Sequence, residues 1–257
     1  MKLERHDGVG ILFIDTPRKN AINVDSIRES HALMDEAEQD RGIRALVVTS
    51  SHKSIFCPGV DLPSLMDFSR SEMRGFYDAM TGLVRRKFAY PKPEIYALNG
   101  HTIAGGLMMA LAGDYRLMAN GQFYVSLMEV ELRLASPIGV VAMMAHVLGG
   151  RDIERVLFRG ERYSPEQARA FGLVDEVVDK DNLMDRAIDH AQILGQKPAA
   201  AYQRLKRYSR QAIVERMQAL DAANLDDLVE QWFAQETQQL VKASVRRMMK
   251  PATATVA

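Results

Sequence analysis

One cysteine, Cys57, is all the chain contains, so no intrachain disulfide can form and no cysteine cluster can hold a metal. There is no excess of either charge, with 33 Lys and Arg against 33 Asp and Glu, and no basic run interleaves with aromatics. A nucleic-acid-binding surface is therefore excluded. No apolar run reaches the length of a membrane span. The first residues, MKLERHDGVGILFID, carry acidic side chains and an early turn where a signal or transit peptide has a cationic start and an apolar stretch. The expectation is a cytoplasmic protein in a reducing compartment, with no nucleic acid or membrane as partner. What is present is enough chain, 257 residues, for one large core or a domain with an appendage. Fifteen methionines read as fillers of core gaps.

Strand-like and helical stretches alternate. Residues 2–15 read as a hairpin around Asp7-Gly8, and the polar loop TPRKNAIN follows. Asp25 or Ser26 is the expected cap of a helix carrying Ile27, Leu33, Met34 and Ala37. ALVVTS (45–50) is a buried strand, and 71–88 is helical with interruptions expected at Gly75 and Gly82. Further helices are expected around 140–147 and 151–158. Ser164-Pro165 opens another that Gly172 stops. Residues 174–178 read as a strand. From Asp181 to about Lys250 helix follows helix, with a hinge at Gly195 and Pro198, and the last residues, PATATVA, are expected to be disordered. The alternation predicts a parallel sheet with right-handed crossovers. Leu220, Leu225, Leu228, Trp232, Phe233 and Leu240 recur at helical spacing in the tail, which must cover them on the core, on a neighbouring subunit, or on both.

The chain is organised around residues 94–114, EIYALNGHTIAGGLMMALAGD. A strand ends at Asn99-Gly100, and Gly105-Gly106 opens a buried helix, leaving free N–H groups at its positive end. The glycines fit either an oxygen-binding site or close helix packing. A second loop, SIFCPGVDL (54–62), follows the strand ALVVTS and decides between them. Loops after the C-terminal ends of parallel strands lie on one side of the sheet, so Val60 and Gly105 can aim two N–H groups at one developing oxyanion.

FCPGVDL and NGHTIAGGLMMALAGDYRLMA resemble the two signature loops of the enoyl-CoA hydratase/isomerase (crotonase) superfamily, and RGERYSPEQARAFGLVDEVV resembles its later part. The resemblance covers most of residues 5–200. It implies an α/β fold, a crotonase-like spiral of repeated ββα units over residues 1–195. A C-terminal helical trimerisation region at 196–257 would assemble a homotrimer or a dimer of trimers. It also implies that Cys57, Pro58, Gly59, Val60, Asp61, Gly105 and Met108 hold an acyl-CoA thioester, whose oxygen sits between the Val60 and Gly105 N–H groups. Arg18 and Lys19 would approach the CoA phosphates. No metal and no separate cofactor is expected, since coenzyme A belongs to the substrate.

The reaction is read from carboxylates. Hydratases of this family use two glutamates, and the position of the first is Met108 here, which cannot transfer a proton. The second falls in FYVSLMEVEL, on Glu129. Glu131, two residues on, is the rival carboxylate, and Glu129 is favoured over it. This resembles the Δ3,Δ2-enoyl-CoA isomerase branch, in which one carboxylate takes a proton from C2 and returns it to C4. The alternatives are another reaction of the family (hydration, decarboxylation or thioester hydrolysis) and a catalytically silent acyl-CoA-binding or scaffold paralogue. His101 reads as a satisfied polar residue at the turn, and His146 as core or interface. Ser126 lacks a nucleophile elbow. Asp61 reads as a cap of its turn or of the next helix, and Asp114 as the residue that fixes a helix end.

Overall fold

Apolar, β-branched runs build two sheets that the chain visits alternately. In this computed structural model, which describes residues 1–249, β1 (Lys2–His6), β2 (Val9–Ile14), β3 (Ala45–Ser50), β5 (Glu94–Leu98), β7 (Tyr115–Ala119) and β9 (Glu176–Val178) form a six-stranded sheet in that order. β4 (Ile55–Cys57), β6 (His101–Ile103) and β8 (Val125–Ser126) form a three-stranded sheet. Each of the pairs β3–β4, β5–β6 and β7–β8 gives one strand to each sheet, and helices follow each pair, so the chain climbs as a spiral of ββα units. Every pairing is parallel except β1 with β2. That hairpin turns on Asp7 (φ 46°) and Gly8 (φ 84°), a left-handed pair that matches the twist of the strands it joins.

β3 and β5 are buried along their whole length because apolar layers cover both faces of the sheet. One layer is the helix Leu183–Gly195, whose Leu183, Ala187 and Ala191 pack with Val47, Ile95 and Leu117. On the other side lies the main core, which includes the helices Val24–Gln39, Arg70–Phe88 and Gly105–Ala112.

Three local expectations change. The first helix is capped by Asn23, not by Asp25 or Ser26. The Asn23 side chain accepts the Ser26 N–H, and the Ser26 hydroxyl accepts the Asn23 N–H, both at 2.9 Å. Gly75 and Gly82 do not interrupt Arg70–Phe88. A glycine costs a helix about 1 kcal/mol, and burial of Met73, Phe76, Met80, Leu83 and Val84 on one face outweighs two of them. The polar loop after β2 is not irregular coil but a tight turn with Arg18, Lys19 and Asn20 all left-handed (φ 56°, 58° and 69°). At Ser164 the expected cap is present, with Gln167 completing the capping box.

The tail is a 35-residue helix, Ala199–Phe233, followed by Gln235–Met249. Pro198 stands at the N-cap of the long helix, which packs on Arg70–Phe88 and Ile138–Leu148 of the same chain, burying Leu225, Leu228 and Trp232. Asp114 is the buried anchor of this docking and not merely a helix terminator. It accepts Lys206 Nζ at 2.7 Å, Arg210 Nη2 at 2.9 Å and the Glu94 N–H at 2.8 Å. PATATVA, expected to be disordered, lies outside the described residues. Among the described residues no helix is long and apolar enough to cross a membrane.

Candidate active site

The two loops meet where glycine is required. After β4 the chain turns at Pro58 and Gly59, the latter at φ +92°. A Cβ on Gly59 would stand 2.9 Å from Ala104 Cβ and 3.2 Å from the Ile103 carbonyl oxygen. Ala104 itself sits at φ 53°, ψ −124°, at the N-cap of Gly105–Ala112. A conformation of this kind costs an alanine on the order of 1–3 kcal/mol. Its backbone bonds hold it there, the Ala104 N–H reaching Ser126 O at 2.8 Å and its own carbonyl accepting the Met108 N–H at 3.0 Å. Gly105 opens the helix, so its N–H has no acceptor within it. Among the described residues neither the Gly105 nor the Val60 N–H donates a hydrogen bond.

Below the loops lies a cavity of about 140 Å³ walled by side chains such as Leu65, Phe76, Met80, Met108, Leu132 and Trp232. Pro58, Val60 and Gly105 line it as well. Cys57, expected among the substrate-binding residues, does not. Its side chain packs beneath the helix, where a Cβ on Gly106 would stand 2.7 Å from Cys57 Cβ, and its thiol donates to Asn20 O at 3.3 Å. Burial pushes that thiol up to about 12, so it is inert. Gly59 contributes close approach of backbone.

Glu129 lines the same cavity. The segment is a 3-10 turn, Glu129–Leu132, not a strand, on which two residues two apart would share a face. Two steps around a 3-10 turn are about 240°. Glu131 is exposed beside Gly160, while Glu129 Oε2 is buried without a hydrogen-bond partner. Burial raises the Glu129 carboxyl to about 7, opposed in part by a hydrogen bond from its own backbone.

A second cavity of about 400 Å³ adjoins the first, sharing Pro58, Val60, Leu62 and Met248, and opens past Arg18, Lys19 and Asp61. Arg18 Nε lies 3.4 Å from Asp61 Oδ2, and Asp61 Oδ1 is buried and unpartnered. Asp61 makes no side-chain cap of the short helix Leu62–Leu65, so the capping expectation is replaced by an ion pair. The strained turn carrying Arg18 is locked by Asn20, whose side chain accepts the Thr16 N–H at 3.0 Å and donates to Ser50 Oγ at 2.6 Å and Phe56 O at 3.2 Å.

Sequence reasoning missed Asn20, Tyr77, Ser244 and Met248. The last three line the Glu129 cavity, and no spacing signal separates them from ordinary core positions. His101 is not in the cavity: its ring lies 4.3 Å from that of Tyr124, whose N–H it accepts at 3.2 Å. His146 is exposed, edge-on to Phe88, because it sits on the outer face of Ile138–Leu148. Ser126 is buried beside the Gly160 carbonyl with no base at hand.

Two unclaimed N–H donors and one buried carboxyl group of near-neutral pKa, joined by an apolar cavity, can stabilise an oxyanion and move a proton. On a spiral of ββα units, this combination defines an enzyme-like member of the crotonase fold. The chain belongs to the enoyl-CoA hydratase/isomerase family, whose profile matches residues 4–248. It is 30% identical over 185 residues to the mitochondrial enoyl-CoA delta isomerase 1 of Rattus norvegicus, covering 72% of this chain and 64% of that protein. The matched stretch thus spans just under two thirds of that relative. It is 28% identical over 219 residues to the short-chain-enoyl-CoA hydratase of Clostridium acetobutylicum, covering 84% of this chain and 81% of that protein. The crystal structure of human mitochondrial delta3-delta2-enoyl-CoA isomerase superposes with a TM-score of 0.91 at 25% identity, covering 96% of this chain and 97% of that one.

Proposed function

We propose that this chain is an enoyl-CoA isomerase, moving a double bond from C3–C4 to C2–C3 of an acyl-CoA thioester. The single observation that carries the reading is that Glu129 is the one carboxylate among the described residues lining the cavity, which Met108 also lines at the position where a hydratase needs a second acid. The thioester oxygen lies between the Val60 and Gly105 N–H groups. Glu129 removes a C2 proton, and the C–H electron pair moves into a dienolate whose charge rests on that oxygen. The Glu129 O–H bond then breaks as a C–H bond forms at C4, restoring the carboxylate. Apolar walls keep water from the dienolate. Likeness to isomerases supports the reading, and likeness to a hydratase keeps hydration as the competing outcome.

In this reading Arg18 and Lys19 border the outer cavity and meet the CoA phosphates. Leu205 and Tyr208, each 68% exposed on the long helix, would be covered in a homotrimer or a dimer of trimers. No metal or redox group takes part. The experiment is a spectroscopic assay of 3-hexenoyl-CoA isomerisation beside crotonyl-CoA hydration. Isomerisation in clear excess is expected; hydration in excess would overturn the assignment, and turnover of neither would favour a silent acyl-CoA binder.

A further inference from the structure

Of the described side chains lining the cavity, Glu129, Tyr77, Trp232 and Ser244 carry polar groups. Ser244 sits on the last helix and accepts a hydrogen bond from Arg247 Nη2 at 3.0 Å. Among the described residues Tyr77 has no such partner. It lies on Arg70–Phe88 between the buried Phe76 and Met80, is 9% exposed, and lines the same cavity as Glu129. Glu129 Oε2 is buried and unpartnered in the same small space. A phenol donor and a buried carboxyl oxygen without a partner therefore share one cavity, and a buried group left unsatisfied marks a place where a neighbour, a ligand or a reaction step supplies the missing bond.

We propose that Tyr77 is a positioning residue for Glu129. Its phenol supplies the hydrogen bond, direct or through one water, that the carboxylate needs whenever it is ionised. The proposal rests on the isomerase reading for what that carboxylate then does. Glu129 must be anionic before it takes the C2 proton and again after it delivers one to C4, and a single donor that does not itself give up its proton serves both states. The phenol meets that requirement. Burial and the nearby Glu129 charge both hold its pKa above the ordinary tyrosine value, so it remains a donor across the working range. In a ligand-free site such bonds are commonly longer than in the loaded enzyme.

The other ionisable groups around the pocket do not compete for this role. Glu131 is exposed, Arg133 pairs with Glu236 of the last helix, and Asp61 pairs with Arg18 in the outer cavity. The Glu129 carboxyl is shifted by burial and its own backbone, with no neighbouring cation.

The test reads Glu129 directly, by 13C NMR of protein labelled at the glutamate side-chain carboxyl, with Glu129→Gln identifying its signal. Tyr77→Phe keeps the ring and removes the hydroxyl. The carboxyl is expected to titrate about one pH unit higher, a tenfold shift in its ionisation constant, as loss of one hydrogen bond to a charged group implies. The acid limb of kcat/KM for 3-hexenoyl-CoA should move up by the same amount. A ring-fluorinated tyrosine placed at position 77, a stronger donor with the same packing, should move both down. Unchanged titration in both variants overturns the proposal and leaves the isomerase reading intact. A shifted titration in a protein without isomerase turnover supports the pairing and overturns that reading instead.

Discussion

Replacing Glu129 by Gln should abolish turnover and stabilise the protein, and the stabilisation should depend on pH. The Glu129 carboxyl is raised from 4.5 to about 7 because burial penalises its ionised form. Below the unfolded value near 4.5, both folded and unfolded chains carry the neutral acid, and Glu129 contributes no penalty. As pH rises, the unfolded chain ionises first and the folded chain resists, so stability falls until the folded carboxyl also ionises near 7. The difference of about 2.5 pH units, at about 1.4 kcal/mol per unit, amounts to about 3 kcal/mol lost at pH 8. A neutral Gln amide of similar shape escapes it. Urea denaturation followed by circular dichroism at pH 5 and pH 8 measures the difference. Glu129→Gln should gain about 3 kcal/mol at pH 8, roughly 6–12 °C in melting temperature, and only about 0.8 kcal/mol at pH 5. An equal gain at both pH values, or a loss at pH 8, would refute the burial of an ionisable Glu129 in an apolar pocket.

Arg18→Ala removes the cation at the mouth of the outer cavity. If it meets CoA phosphates, KM for the CoA ester should rise about tenfold with kcat nearly unchanged, because binding shared by ground and transition states is lost; an unchanged KM places the phosphates elsewhere. Lys206→Met breaks the buried pair with Asp114 that ties the long helix to the sheet. Removal of one member of such a pair costs about 3 kcal/mol, and hydrogen exchange should then show the tail helices opening before β3 and β5. Tail protection equal to wild type would mean that the apolar contacts of Leu225, Leu228 and Trp232 hold the tail alone.

Much of this was legible because it is local. Ser164, Pro165 and Gln167 state a helix start in four residues, and Asp7-Gly8 states a hairpin turn. The two signature loops identify the strand ends that carry Val60 and Gly105. What was not legible depends on tertiary context. The left-handed run at Arg18, Lys19 and Asn20 exists because Asn20 finds Ser50 and Phe56, distant in sequence, to hold it. Glu129 was chosen over Glu131 by the resemblance of its segment to the family's, and what separates the two side chains is a 3-10 turn that no residue pattern announced. Tyr77 sits at a helix spacing indistinguishable from core, and only the cavity brings it to the same site as Glu129. The tail's hydrophobic period announced a buried face without saying whose core it covers; in this chain it reaches its own site through Trp232, Ser244 and Met248.

The proton transfer assigned to Glu129 is tested most directly by following 3-hexenoyl-CoA isomerisation by wild type and Glu129→Gln while measuring acyl-CoA binding to both. The account predicts at least about a thousandfold loss of kcat with binding retained, the scale of removing an acid–base group. Wild-type turnover by Glu129→Gln would contradict it.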